Sequence, residues 1–189
     1  MPRGVAKDHD EKRAALRHGA AGYFATHGFD RASMTGAAKA CGVSKALLYH
    51  YHDSKEALLH DILDAHLSHL ADVARTAAPD GLRVLIAAIL DAYEDADAAH
   101  KLQLEALHLL PEDLRAPLVA LQRDLVALMS GAIADRRADL DPDRLRAASM
   151  TVFGMLNWFY MWHRPGKGLS RTAYAEFAAD FVEGGLQAL

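Results

Sequence analysis

The sequence predicts an all-α protein of nine helices. Apolar residues recur at the spacing of an amphipathic helix through nearly the whole chain. The alternating runs of β-branched residues that are typical of strands do not occur. Capping residues, glycines and prolines divide the helical pattern into segments joined by short connections. A chain of 189 residues can form one compact domain, or a small domain joined to a larger one.

The first predicted helix runs from about Asp8 to His27. Gly28 follows it directly, and glycine is common just past the end of a helix. An apolar stripe on one side of this helix is expected to face the core, and it comprises Ala14, Leu16, Ala20, Tyr23 and Phe24.

Two short segments come next, with the spacing of a helix-turn-helix. Ser33 is placed to cap a helix over residues 34–40, and Ser44 to cap a helix over residues 45–51. Such a unit needs a small residue between the helices, a glycine in the turn and apolar residues that hold the turn. Those roles fall to Ala38, Gly42, Val43 and Leu48. Outward side chains that can meet bases and phosphates are Lys45, Leu47, Tyr49 and His50.

Six further helices are predicted after residue 53. Asp53-Ser54-Lys55-Glu56 has the pattern of a capping box with Asp53 at the cap, and Asp141-Pro142-Asp143 is a second start signal. A loop from Pro165 to Gly168 precedes the last helix. The predicted spans are about 54–77, 81–97, 100–110, 113 or 117 to 138, 142–163 and 170–189.

Composition indicates a soluble protein of a reducing compartment. Hydrophobic residues make up 51% of the chain and charged residues 24%, which suits a globular domain with a substantial core. Cys41 is the single cysteine, so no intramolecular disulfide can form and a cytoplasmic location is expected. A signal peptide is not expected, and the longest apolar run, 150–162, is too short to span a bilayer.

The net charge of −4 is unevenly distributed along the chain. Residues 1–52 carry eight Lys or Arg and four Asp or Glu, whereas the remainder carries 13 basic and 21 acidic residues. A basic segment on an acidic body is expected where only that segment meets a polyanion. The same balance is also common on solvated helix faces.

Three stretches at fixed spacing carry a family resemblance. They are Gly28-Phe29-Asp30-Arg31-Ala32-Ser33-Met34, then Ala38 with Cys41-Gly42-Val43-Ser44-Lys45-Ala46-Leu47-Leu48-Tyr49-His50-Tyr51, and finally Ser54-Lys55-Glu56-Ala57-Leu58-Leu59. Together they cover roughly residues 10–60 and resemble the TetR family of transcriptional regulators. The resemblance implies a helix-turn-helix DNA-binding domain of three helices, residues 1–53. It also implies a six-helix ligand-binding domain, residues 54–189, that forms a homodimer through its last two helices.

The resemblance also implies which side chains contact double-stranded DNA. Phosphate contacts are expected from Ser33, Ser44, Tyr49 and Lys55, with Thr35 as a further candidate. Base contacts are expected from Lys45, Ala46, Leu47 and His50. The family usually ends its third helix with a Tyr-x-x-Phe pattern, whereas this chain has Tyr49-His50-Tyr51-His52. Tyr51 is therefore expected to close the core with His52 beside it, and which of the rings faces DNA stays open. Because so short a helix reads few base pairs, a dimer on a palindromic operator is expected.

The segment from Phe153 to His163 concentrates aromatic residues on one helix. A helix that is apolar all round must be covered on several faces, so part of it is expected in the core or a dimer interface and part beside a cavity. The amide of Asn157 needs a hydrogen-bond partner there, either protein or ligand. The candidate ligand-pocket residues are His66, Tyr93, His108, Asn157, Trp158 and Met161.

A second resemblance concerns the effector. Gly154-Met155-Leu156-Asn157-Trp158, Trp162-His163-Arg164-Pro165-Gly166 and Leu169-Ser170 are similar to a sub-group of TetR regulators of fatty-acid, steroid or aromatic-acid catabolism. This resemblance implies an acyl-CoA effector, held by an apolar pocket with a basic mouth. Arginines that could supply the basic mouth are Arg75, Arg83, Arg115, Arg123 and Arg164.

Other functions find less support in the sequence. His66 and His69 have the spacing of a metal-ligand pair, but no second cluster completes a site. No catalytic constellation or phosphate-binding glycine loop is recognisable, so neither an enzyme, a metal nor a cofactor is expected. A purely architectural DNA-binding protein would not need six further helices. Within the regulators, the alternative is a drug-responsive repressor of an efflux gene.

Overall fold

The computed structural model describes residues 3–164 and 166–189, with side chains from residue 8 onward. Pro165, predicted in the loop before the last helix, lies outside the described residues. Nine α-helices occur in the described part, and the all-α prediction is confirmed. They are α1 (Arg3–His27), α2 (Met34–Ala40), α3 (Lys45–Tyr51), α4 (Lys55–Ala77), α5 (Leu82–Ala92), α6 (Asp97–Ala106), α7 (Glu112–Ala134), α8 (Pro142–Trp162) and α9 (Arg171–Ala188).

Several helix ends differ from the predicted ones. The fifth helix ends at Ala92 rather than near Asp97, because the chain turns at Asp95, whose φ of 60° is left-handed and is tolerated by aspartate. The sixth helix gives way after Ala106 to a short 3-10 turn. The backbone of Leu110 is extended, as expected for a residue before proline. The seventh helix ends at Ala134, short of the predicted residue 138.

The start of α4 is capped by a residue other than the predicted one. The hydroxyl of Ser54 accepts the backbone N–H of Ala57 at 3.0 Å, and α4 begins at Lys55. The prediction that Asp53 caps this helix was therefore wrong by one position. Ser54 directly precedes the first helical residue, so its hydroxyl can accept the third helical N–H, and the cap is Ser54 rather than Asp53.

The first compact unit comprises the chain up to His66 together with Ala96–Leu118. In it α1 packs on α2 and on α6. Leu16, Ala20 and Phe24 of the predicted α1 stripe are buried, whereas Ala14 is exposed and does not belong to the core. The ammonium group of Lys101 on α6 donates to the carbonyl of Ala25 at 2.9 Å, so α6 is joined to α1.

The second compact unit comprises Leu67–Asp95 and Val119–Leu189. Here α5 packs on α9 and α8, and the ring of Phe159 stacks on that of Tyr174 with centroids 4.6 Å apart. Arg83 donates to Asp180 at 2.6 Å and to Glu183 at 2.8 Å, which ties α5 to α9. The functional division between residues 53 and 54 stays a prediction.

By length and composition alone, α7 could cross a membrane. This is weak evidence, because a core helix of a soluble protein passes the same test. Arg123 and Asp124 are adjacent and exposed in the middle of α7, and charged side chains there disfavour a hydrocarbon environment.

Candidate nucleic-acid interface

The turn between α2 and α3 has a defined hydrogen-bond pattern. The N–H of Val43 donates to the carbonyl of Ala38 at 3.0 Å, and that of Gly42 donates to Lys39 at 3.1 Å. Gly42 has a φ of 67°, which glycine adopts without steric cost. These two bonds form a Schellman motif at the end of α2. The turn therefore fixes the direction in which α3 starts.

The close packing of α2 on α1 requires glycine at residue 36. A Cβ atom at Gly36 would lie 2.0 Å from the hydroxyl oxygen of Tyr23 and 2.4 Å from its ring. No side chain larger than hydrogen fits there without moving that ring. The sequence indicated Ala38 as the small packing residue, and Ala38 is buried. The contact between Gly36 and Tyr23 was not indicated by the sequence.

Along α3, one side faces the core and the other faces outward. Leu48 is fully buried, and Tyr49 is 41% exposed. Lys45, Ala46 and His50 are exposed, and Leu47 is half-buried. The helix begins at Ser44, whose hydroxyl accepts the N–H of Leu47 at 3.1 Å. The outward face thus combines a cation, an aromatic hydroxyl and an imidazole.

Beside α3, the start of α2 has the same kind of cap. The hydroxyl of Ser33 accepts the N–H of Gly36 at 3.1 Å. Ser33 and Thr35 are both exposed. The predicted phosphate contacts at the start of α2 are therefore accessible.

The end of α3 corrects a prediction about its aromatic residues. His52, only 4% exposed, closes the core. Tyr51 is half-buried and stacks on His9, with ring centroids 4.7 Å apart. The expectation that Tyr51 closes the core was wrong, because the backbone becomes extended at His52 and turns its ring inward.

His52 belongs to a buried charged cluster. Its Nε2 lies 2.8 Å from Oδ2 of Asp61 on α4. Arg13 of α1 donates to both oxygens of the same carboxylate, at 3.0 and 2.6 Å, and Arg17 donates at 3.4 Å. Burial alone would raise the pKa of Asp61, but hydrogen bonds from His52 and Arg13 and the charges of Arg17 and Arg13 outweigh it and lower the pKa to about 2.

The sequence did not indicate this cluster. Arg13 and Arg17 lie 48 and 44 residues from Asp61, and no local motif joins them. Only the nine-residue separation of His52 from Asp61 is short, and it crosses the end of one helix and the start of the next.

Lys55 has its ammonium group engaged within the protein. It donates to the carbonyls of Phe29 at 2.9 Å, Ala32 at 3.3 Å and Asp30 at 3.4 Å, and it lies 4.3 Å from the centre of the Phe29 ring. These bonds hold the loop before α2. A contact between Lys55 and DNA phosphate stays a prediction.

The comparisons with known proteins agree with this geometry. Residues 16–62 match the model of bacterial regulatory proteins of the tetR family. Residues 75–186 match that of the tetracyclin repressor-like C-terminal domain. This chain belongs to the TetR family of helix-turn-helix transcriptional regulators.

Individual TetR-family relatives cover nearly the whole chain. The HTH-type transcriptional repressor KstR2 of Rhodococcus jostii (strain RHA1) is 28% identical over 189 residues, covering 93% of this chain and 91% of that protein. A TetR-family transcriptional regulator from Bordetella parapertussis 12822 is 33% identical with a TM-score of 0.84, covering 94% and 96% of the two chains. AibR, solved with isovaleryl coenzyme A and operator DNA, is 22% identical with a TM-score of 0.72, covering 92% and 97%. At that identity the likeness to AibR shows the fold alone.

The predicted effector residues are divided between the two compact units. His66 and His108 lie in the first unit, and Tyr93, Asn157, Trp158 and Met161 in the second. Tyr93 and Asn157 are brought together, since the Tyr93 hydroxyl donates to Oδ1 of Asn157 at 2.7 Å. Burial raises the pKa of Tyr93, so the phenol stays neutral. Asn157 thus has a protein partner.

The other predicted effector residues differ in exposure. His66 is buried, and its ring centroid lies 5.8 Å from that of His100. His108 is exposed, as are Trp158 at 58% and Met161 at 44%. Among the described side chains, no group of three or more His, Cys, Asp or Glu could hold a metal ion.

The arginines considered for a basic mouth mostly have local partners. Three of them pair with carboxylates near them: Arg75 with Asp72 and Asp124, Arg83 with Asp180 and Glu183, and Arg115 with Glu112. Arg164 donates to the carbonyls of Met161 and His163. A coenzyme A phosphate would therefore compete with these partners.

Large apolar side chains are exposed on α8 and α9. Phe177 is 56% and Phe181 63% exposed, and their ring centroids lie 6.4 Å apart. An open groove of about 630 Å³ between the two helices is lined mainly by apolar residues, among them Val152, Phe181 and Val182. The further exposed large residues of α8 are Met150, Trp158, Met161 and Trp162. Exposed apolar patches of this kind mark interaction surfaces.

Proposed function

We propose that this chain is a dimeric transcriptional repressor that binds a palindromic operator and is released from it by an acyl-CoA thioester. The observation that carries the proposal is the outward face of α3. Lys45, Tyr49 and His50 are exposed there, whereas Leu48 fastens the opposite side to the core. A helix held in this way can enter a major groove and present polar side chains to base edges.

The proposed division of labour on the DNA is as follows. Bases are read by Lys45, Ala46, Leu47 and His50, which lie on one short helix. Phosphates are held around them by Ser33, Thr35, Ser44, Tyr49 and Lys55. Phosphate contacts of this kind fix the register of the protein on the duplex, and base contacts give the sequence preference.

A homodimer through α8 and α9 supplies a second recognition helix for the second half-site of the operator. The exposed rings of Phe177 and Phe181 support this assignment, because a monomer would leave them in water. A two-fold dimer uses the same surface on both subunits. Two recognition helices related by that symmetry require an operator with matching symmetry.

The effector is proposed to bind the ligand-binding domain, residues 54–189. Its candidate contacts in the second compact unit are Tyr93, Asn157, Trp158 and Met161, and His66 and His108 stay separate candidates in the first unit. The hydrogen bond between Tyr93 and Asn157 supports this proposal, because it places two polar groups together among apolar residues. The isovaleryl coenzyme A solved with AibR, a protein of the same fold, favours an acyl-CoA over a cationic drug.

Release requires that the effector binds one conformation of the dimer better than another. The proposed coupling element is α4, which is separated from the end of the recognition helix by three residues. Effector binding shifts α4, and the two recognition helices then no longer match successive major grooves. Equal recognition-helix separation with and without effector would contradict this coupling.

The DNA-binding part is tested by selecting duplexes from a random-sequence library with the wild-type chain. The expected result is a palindromic sequence, bound with an affinity that falls steeply as salt rises. Lys45→Ala should then weaken binding by about tenfold or more, because a lost base contact costs about 1–3 kcal/mol. Arg123→Ala, an exposed arginine on α7, is the matched control and should bind as wild type does. Failure to enrich any duplex would overturn the proposal.

The effector part is tested on the selected duplex by fluorescence anisotropy. Acyl-CoA thioesters of increasing chain length should release the DNA, whereas free coenzyme A should not. Tyr93→Phe removes only the hydroxyl that donates a hydrogen bond to Asn157. This variant should need a higher acyl-CoA concentration for release of the DNA, and its operator affinity should not fall. Release by cationic drugs alone would instead favour a repressor of an efflux gene.

A further inference from the structure

The buried cluster at the end of α3 is not needed for any proposed DNA contact. The side chains of His52 and Asp61 are 3% and 8% exposed, so neither can reach a duplex. His52 directly follows the recognition helix, and its backbone N–H donates to Leu48 at 3.0 Å. Its ring points into the core, where Nε2 lies 2.8 Å from the carboxylate of Asp61 on α4.

We propose that His52 and Asp61 are positioning residues, whose hydrogen bond holds the far end of the recognition helix and thereby sets its specific affinity for the operator. This inference rests on the proposed function. The near end of α3 is fixed by the turn at Gly42 and by the Ser44 cap. In the middle, Leu48 is the buried residue of the helix. Without the bond to Asp61, the end that carries Tyr49 and His50 loses its polar anchor.

Asp61 is suited to this task because its carboxylate is fixed independently of His52. Arg13 grips both of its oxygens, and Arg17 adds a third contact from the next turn of α1. An ionised carboxylate accepts hydrogen bonds and donates none, so Nε2 of His52 carries the proton. The recognition helix is thus joined through one directed bond to α4 and, through the two arginines, to α1.

Base recognition depends on the position of the helix in a way that phosphate attraction does not. Hydrogen bonds to base edges weaken steeply when distance or angle changes, whereas attraction to the polyanion tolerates a displaced helix. A positioning role therefore predicts a selective loss of operator affinity. A merely structural role predicts a loss of folding stability and a similar loss for every duplex.

The test compares three variants of the full chain on two duplexes. The duplexes are the operator selected with wild-type protein and a scrambled duplex of the same length and composition. His52→Phe removes the donor and keeps a ring in the buried space. His52→Gln keeps an N–H near the place of Nε2. His69→Phe, at an exposed histidine of α4, is the matched control.

We expect His52→Phe to bind the operator about tenfold more weakly and the scrambled duplex within about twofold of wild type. His52→Gln should recover operator binding to within about threefold, and His69→Phe should not differ from wild type. Thermal melting establishes that each variant is folded. If His52→Phe does not fold, Asp61→Glu replaces it, because the longer side chain keeps its charge beside the arginines and moves the acceptor away from His52.

Three results would overturn the inference. They are wild-type operator affinity in His52→Phe, an equal loss on both duplexes, and no recovery in His52→Gln. Each leaves the proposed function intact, since the wild-type chain still selects an operator. If the wild-type chain selects no duplex at all, the proposed function fails, and the inference fails with it.

Discussion

Asp61 is a carboxylate whose charge is stabilised by three neighbours. Its pKa is lowered from 3.8 to about 2 in the folded protein, so the folded state binds the proton less tightly than the unfolded chain does. The resulting stability is present above about pH 4 and is lost as pH falls from about 4 to about 2. Its size is on the order of 2 kcal/mol, because each pKa unit corresponds to about 1.4 kcal/mol.

Asp61→Asn should therefore be most destabilised relative to wild type above pH 4, and the difference should shrink towards pH 2. Urea unfolding at a series of pH values measures it. Asp72→Asn, which breaks an exposed ion pair with Arg75, is the control on the same helix and should cost less than about 1 kcal/mol at every pH. A constant difference between Asp61→Asn and wild type across that range would contradict the argument.

At the same scale, the sequence predicts which way a side chain faces only where the helical period of about 3.6 residues continues. Lys45, Tyr49 and His50 face outward as the helical period predicts. His52 closes the core in place of Tyr51, because the helix ends between them and the backbone of His52 is extended. Arg13 and Asp61 meet through tertiary packing alone, which a sequence pattern does not record.

The contact between α1 and α2 is the element-scale feature most sensitive to one methyl group. Because a Cβ at residue 36 would lie 2.0 Å from the Tyr23 hydroxyl, Gly36→Ala should displace the Tyr23 ring from its place against α2. Overpacking of this kind costs about 1–3 kcal/mol, and thermal melting should show a lower Tm. Gly22→Ala is the matched control, since no atom lies within 4 Å of its added Cβ. It should stabilise α1 by up to about 1 kcal/mol, and a lower Tm there would contradict the reasoning.

Whole elements could be predicted where caps and breakers mark them. Ser33, Ser44 and Asp141 each cap the helix that they were expected to begin. The ends of the fifth and sixth helices could not be placed, because they depend on a left-handed aspartate at Asp95 and on a 3-10 turn before Pro111. Apolar periodicity continues through such turns and therefore overestimates helix length.

For the whole molecule, helix count and fold class follow from local patterns, but the grouping of helices does not. In the described residues, α6 packs with α1 in the first compact unit, although about seventy residues separate them. Nothing in the period of α6 indicates this partner, because periodicity shows which face is buried and not what buries it. The same reasoning applies to Phe177 and Phe181, whose apolar spacing on α9 predicts burial that a single chain does not provide.

The proposed dimer gives those two rings their burial, so a charge placed there should separate the subunits. Phe181→Lys puts an ammonium group at the most exposed large apolar side chain of α9, 63% exposed in one chain. Sedimentation equilibrium should then show a monomer, because an unpaired charge in an apolar interface costs several kcal/mol. Operator affinity should fall by more than about 100-fold, since each monomer reads one half-site alone. Leu104→Lys, at a similarly exposed apolar position on α6, 43% exposed, is the control and should remain dimeric. A Phe181→Lys chain that stays dimeric and keeps its operator affinity would place the dimer interface elsewhere on the molecule.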